Sequence, residues 1–96
     1  MKFEWDCNKA KENIRKHNIS FDIAEHIFNA NMIYKEDKRH NYGEKRYIGF
    51  GLYFGRCINI VYTVRNDNIR IISMRKANER ETKRYHETIK SHRCYR

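Results

Sequence analysis

Ninety-six residues with 21 Lys and Arg against 12 Asp and Glu leave a formal charge of +9, in a chain sized for one domain (1–96) and one modest core. Seven Tyr, five Phe and one Trp supply ring area for that core and argue against disorder; no apolar run has the length of a membrane span or a signal-peptide core, so the expected location is cytoplasmic. Cys7, Cys57 and Cys94 are odd in number and far apart, which excludes a disulfide framework and a paired metal knuckle; His92 with Cys94 offers two ligands, too few for a site.

In chain order, "KFEWD" alternates with its rings on one side and predicts a short first strand. "DCNKAKENIRKHNI" predicts a helix capped by Asp6 or Asn8, with Ala10, Ile14 and His17 on one face and Asn18 as its stop. "SFDIAEHIF" predicts a second helix: Ser20 caps it, Asp22 suits its positive end, and Phe21, Ala24, Ile27 and Phe28 form its buried stripe. Ile19 stands where a hydrophobic staple to Ala24 forms. "MIYKED" is a candidate strand and "EDKRHNYGEK" a charged loop.

Three further runs, "RYIGFGLYF", "INIVYTV" and "IRIISMR", are rich in Ile, Val, Tyr and Phe, with breaks at "GRC" and "RNDN". Asn and Asp tolerate the positive φ of tight turns, so "RNDN" predicts a hairpin. "KANERETKRYHETIK" closes the chain as a helix and "SHRCYR" as a frayed tail. The expected fold is α+β: two N-terminal helices packed on an antiparallel β-sheet meander, with a C-terminal helix.

Period-two reading of the last strands puts Arg70, Ile72 and Met74 on one face and Ile71, Ser73 and Arg75 on the other. In the strand before, Ile58, Ile60, Tyr62 and Val64 are the oily set, while Asn59, Val61, Thr63 and Arg65 are mixed. The oily sets are expected against the N-terminal helices, leaving an open face that carries Thr63, Ser73, Arg65 and Arg75. A polyanionic partner is the simplest use for the positive charge; an acidic protein partner or plain solubility would account for it too.

"FEWDCNKAKENIRKHNISFDIAEHIF" resembles the start of BrnT-type toxins of bacterial toxin–antitoxin pairs, whose pattern runs F-x-W-D-x-x-K-A-x-x-N-x-x-K-H-G-[VI]-x-F-x-x-A. "YGEKRYIGFG" is similar to the family's G-E-x-R block, and "IRIISMRKANERETKRY" to its R-I-I-S-x-R-x-A block followed by E-R and a Tyr. Asn18 replaces the usual Gly and Met74 stands where a small residue is common. The resemblance implies a RelE-like fold and a ribonuclease that blocks translation, with no cofactor. It also implies a ribbon-helix-helix antitoxin (BrnA-like) that binds the toxin in a hetero-oligomer and through which alone the pair meets DNA.

Metal-independent RNA cleavage uses the 2′-hydroxyl as nucleophile, and needs its proton removed, the phosphorane charge stabilised and the leaving 5′-oxygen protonated. Arginine suits the middle task, being planar and always charged. The residues expected around the scissile phosphate are Arg65, Arg75 and Arg80, with Ser73 hydrogen-bonding nearby and Glu44 with Arg46 as a charged pair. Glu44, flanked by Lys45 and Arg46, stays ionised and positions an arginine better than it serves as a base. His17 and His86 titrate in a useful range, though His17 lies on a packed stripe. Tyr85 is an acid, a stacking platform or the ring that pins the last helix. Lys9, Lys76 and Arg84 are candidate RNA contacts. Lys9 with Lys11, Arg15 and Lys16 forms a basic face that suits RNA, an acidic antitoxin stretch or water. The rival reading is a non-catalytic RNA- or DNA-binding module stacking bases on Tyr47, Tyr53 and Tyr62.

Overall fold

The structure, a computed structural model, describes residues 2–29 and 31–94, the last three of these by their backbone only. Strand β1 (Phe3–Trp5) leads into helix α1 (Cys7–His17), a 3-10 turn (Phe21–Ile23) and a one-turn helix α2 (Ala24–Ile27). Strands β2 (Ile33–Asp37), β3 (Arg46–Tyr53), β4 (Arg56–Arg65) and β5 (Asn68–Lys76) follow, then helix α3 (Glu79–Cys94). The helix therefore runs through most of the stretch expected to fray. Among the described residues no helix is long and apolar enough to cross a membrane.

The strands lie in the order β1-β5-β4-β3-β2. β2 to β5 form the expected antiparallel meander, but β1 pairs parallel to β5, with Phe3 beside Ile69 and Trp5 beside Ile71. The sheet is thus mixed. Its closing edge is clamped by Glu4, which accepts from Arg70 at 2.9 Å and from Asn68 at 3.1 Å.

Local chemistry accounts for the element ends. Asp6 caps α1, accepting from the backbone of Asn8 and Lys9, and Asn18 ends it in the left-handed region at φ 57°. Ser20 makes no side-chain cap, and the second helix is correspondingly a 3-10 turn passing into a single α turn. Asn66 and Asp67 take φ 50° and 65° between the paired residues Arg65 and Asn68, the two-residue hairpin turn expected there. The other hairpin turns earlier than "GRC", on Phe54 and Gly55, both at positive φ, with Arg56 and Cys57 already in β4.

The main core lies between one sheet face and the N-terminal helices: Phe21, Ala24 and Ile27 meet Ile58, Ile60, Tyr62, Ile71 and Met74. At Gly51 an added Cβ would stand 2.6 Å from Ile27 Cγ2 and 3.1 Å from the Ile27 carbonyl, so only glycine lets α2 sit this low on β3. A smaller cluster on the opposite face, Cys57, Ala77 and Tyr85 with Phe50, Leu52 and Ile89 against it, seats α3. The helices consequently occupy both faces of the sheet.

Two corrections concern phase. Ile71 and Met74 share the core, although strict alternation separates them; a bulge between the pairs Val61–Ser73 and Tyr62–Ile71 leaves Ile72 unpaired and resets β5 by one residue. On α1 the buried residue is Asn13 at 5% exposure, whereas Ile14 is 47% exposed and His17 is open to solvent. β1 ends level with Ile71, so β5 beyond it has no strand beside it, and Asn13 covers that edge. Its Oδ1 accepts from the Met74 N–H at 3.1 Å while its Nδ2 donates to the Ile19 carbonyl at 3.0 Å. A buried amide with both ends satisfied ties α1, the loop after it and the bulge together.

Candidate active site

Past the bulge, Ser73 and Arg75 turn to the sheet face away from α1, beside Asn59 and Val61 of β4. α3 covers only part of this face. The remainder is a groove with two adjoining hollows of about 620 Å³ each, which share Lys35, Ile48, Phe50 and Glu81.

One hollow is polar. Arg75 donates to both carboxylate oxygens of Glu81 at 2.8 Å and to the Lys76 carbonyl at 3.2 Å. A guanidinium has five N–H donors, so two stay available to a ligand. Glu81 is itself fixed by a capping box at the start of α3: it accepts from the Asn78 N–H at 3.0 Å, and its own N–H donates to Asn78 Oδ1 at 2.8 Å. Hydrogen bonds from Arg75, with the backbone of Asn78 and the side chain of Asn59 assisting, pull the Glu81 carboxyl down to about 2. Helix start and arginine are thus one hydrogen-bonded assembly.

Facing it is a second clamped arginine. Arg39 donates to Asp37 through Nε at 2.8 Å and Nη2 at 2.9 Å, and the Tyr42 hydroxyl donates to the same carboxylate at 3.1 Å. These bonds, Arg39 foremost, hold Asp37 far below the usual carboxylate range. Glu81 raises the Arg75 pKa, while loss of solvent and the positive charge of Arg39 oppose it. With Lys35, Lys38 and Arg84, the groove walls carry five cations against the carboxylates of Glu36, Asp37 and Glu81. That surplus, in a concavity floored by Ile48 and Phe50, is suited to an anion bearing apolar rings.

The expected residues divide. Arg75 and Ser73 line the groove, and Arg84 lines its second hollow. Arg65 does not join them. It lies at the other end of β4, six residues and roughly 20 Å along the strand from Asn59, the partner of Arg75. There it donates to Glu44 at 2.8 and 3.1 Å, and Arg46 approaches the same carboxylate at 3.8 Å while lying 4.1 Å over the Tyr42 ring. Glu44 and Arg46 do meet, but with Arg65 they make a separate cluster. Arg80 is exposed on the first turn of α3 and does not line either hollow. Arg65, Arg75 and Arg80 do not gather in one hollow: strand direction carries Arg65 to the far end of β4, and Arg80 stands on α3 outside both hollows.

The remaining candidates are packed or lie on other surfaces, Tyr85 excepted. Tyr85 lines the second hollow, is 2% exposed and donates its hydroxyl to the Asn31 carbonyl at 2.9 Å, a bond that suits the ring that pins the last helix. Thr63 is buried and donates to the Lys45 carbonyl at 2.6 Å instead of lining an open face. Tyr62 is buried, its hydroxyl pushed up to about 12 by loss of solvent, and Tyr47 stacks on it at 5.4 Å; both belong to the helix-covered side. Arg70 is spent on Glu4. Lys9, Lys11, Arg15 and Lys16 sit on α1, across the sheet from the groove, and Lys76 is exposed at the end of β5. His86 is exposed beside Tyr85, with no histidine among the groove-lining residues. Among the described residues no three His, Cys, Asp or Glu side chains cluster as metal ligands, and the side chains of His92 and Cys94 lie outside the described residues.

Sequence reasoning gave no site role to Lys35, in the candidate strand "MIYKED", or to Lys38 and Arg39, which passed for an undifferentiated charged loop. The N-x-x-E spacing of Asn78 and Glu81 was a readable sign of a helix start aimed at this spot.

A family model described as the ribonuclease toxin, BrnT, of a type II toxin-antitoxin system matches residues 5–81. The chain belongs to the BrnT family. It is accordingly a ribonuclease toxin of a type II system, with an antitoxin as its partner. Comparison with the curated proteins returns no match. The BrnT match spans both clamped arginines and ends on Glu81, so the Arg75–Glu81 pair falls inside it and Arg84 beyond it.

Proposed function

We propose that this BrnT-family chain is a metal-independent endoribonuclease whose cleavage site is the Arg75–Arg39 end of the groove, and that cutting RNA there blocks translation. The carrying observation is Arg75 itself: fixed by Glu81 at 2.8 Å through two bonds, it keeps donors to spare at the mouth of a concave, cation-rich hollow. In the reaction the 2′-oxygen bonds to the adjacent phosphorus, the bond from phosphorus to the 5′-oxygen breaks, and the products are a 2′,3′-cyclic phosphate and a 5′-hydroxyl. Arg75 and Arg39 meet the charge that grows on the non-bridging oxygens, and because both are clamped they need little rearrangement to do so. Ser73 donates to the same phosphate. With no histidine in the groove, and with Glu81 and Asp37 ionised and weakly basic, proton transfers run through water, so charge stabilisation carries the rate.

The antitoxin is proposed to be a ribbon-helix-helix protein of the BrnA type, forming a hetero-oligomer with this +9 chain and supplying the DNA contact. The test is single-turnover cleavage by antitoxin-free protein in excess chelator. Activity should persist, yield 2′,3′-cyclic ends, and vanish when the residue 5′ of the cut is 2′-deoxy. Loss of all cleavage with chelator, restored by a divalent metal, would overturn the mechanism.

A further inference from the structure

The second hollow has a chemistry of its own. Its floor is Ile48 and Phe50 of β3, its sides Met32 and Ile33 at the start of β2 and Ile89 of α3, with Arg84 at its exposed mouth. About 620 Å³ is within the range of pockets that enclose a small organic group. It adjoins the cationic hollow, for Lys35, Ile48, Phe50 and Glu81 border both. A chain whose phosphate rests on Arg75 must therefore run its next residue either over this apolar floor or out into water.

We propose that the apolar hollow is a subsite for one unpaired nucleobase next to the bound phosphate, with Phe50 as its stacking platform. The proposal rests on the groove being the RNA site. Charge continuity favours RNA as the occupant: Lys35 borders both hollows, Arg84 lines the apolar one and Arg75 the cationic one. Stacking on an aromatic ring is tolerant of base identity, so the subsite selects for an exposed base face more than for a sequence. A duplex cannot supply one, because its bases stay stacked and its accessible minor groove presents edges. The subsite thus makes single-stranded or looped RNA the substrate class.

The experiment uses antitoxin-free protein and a short single-stranded RNA made non-cleavable by one 2′-deoxy residue, with an abasic residue moved stepwise along it. Binding should drop roughly tenfold or more when the missing base neighbours the held phosphate, and the matching duplex should bind no better than that abasic strand. Phe50→Leu, which keeps the floor apolar, should weaken the intact strand while leaving the abasic strand unchanged. Equal binding at every abasic position, or an equal loss for both strands in Phe50→Leu, overturns the subsite. So does a Phe50→Leu protein that releases its antitoxin yet binds intact RNA normally, which would make the hollow a protein-docking groove. If the cleavable strand stays whole while these binding differences appear, the cleavage mechanism fails and the base subsite stands.

Discussion

The two ends of β4 each lie beside an arginine held against a glutamate, and only the Arg75–Glu81 pair lines the groove. Arg65 and Glu44 pair outside both hollows, with Arg46 sharing the same carboxylate. Arg75 and Glu81 pair across two elements, in a hollow that Arg39, Lys35 and Lys38 also line. An ion pair by itself is therefore uninformative about function. What distinguishes the Arg75 end is concavity, a surplus of cations, and a partner locked by a helix start, which together leave the guanidinium fixed and still able to donate.

The sharpest way to break this contrast is to remove each arginine in turn. Arg75→Ala should slow RNA cleavage about 10²- to 10³-fold, the scale of one transition-state donor. Equal losses in Arg65→Ala would erase the distinction. Next comes the buried amide that orients Arg75 from the far side of the sheet. Asn13→Ala leaves the Met74 N–H and the Ile19 carbonyl without partners, and should cost about 1–3 kcal/mol in denaturant unfolding. Cleavage should fall in this variant even at temperatures where it stays folded, because the bulge that turns Arg75 into the groove loses its anchor. Glu81→Ala removes both the cap and the arginine clamp; about 1 kcal/mol of stability should go with the cap, alongside a lower cleavage rate. Smallest of all, Arg65→Ala should change stability by about 0–1 kcal/mol and leave cleavage near the parent rate.

Acid titration tests the same comparison. Glu81 sits at about 2 in the folded chain against an ordinary value of 4.5, so its contribution to stability is complete above 4.5 and drains away as the pH falls towards 2. Asp37 acts in the same direction through Arg39. Acid unfolding should accordingly be concentrated below pH 4.5 and be blunted in Glu81→Gln. The cleavage rate should show no limb near pH 6.5, since the groove has no histidine to protonate; such a limb would point to an imidazole acting there.

Much of the fold could be read from short-range chemistry. The Asp6 cap, the left-handed Asn18, the Asn66–Asp67 turn and the order of elements each depend on a few adjacent residues, and each stands where expected. What escaped depends on distant partners. A bulge inserts one residue without disturbing local composition, so "IRIISMR" gives no hint that Ile72 drops out of phase; only Asn13, 61 residues before Met74, records it. The parallel pairing of β1 is likewise set by which edge remains vacant. The site was half legible for the same reason: Arg75 and Ser73 follow from one strand, whereas Arg39 reaches them through a register three strands wide.

The clamp between Glu4 and Arg70 joins residues 66 apart in the chain, and it carries a kinetic corollary. Closing so large a loop must precede any reward from the contacts it makes, which slows folding relative to a hairpin-only sheet. During synthesis the first strand waits, unmated, until the fifth emerges, and the Glu81 that fixes Arg75 follows six residues after it. The groove around Arg75 is therefore completed only after β5 and the first turn of α3 have both emerged.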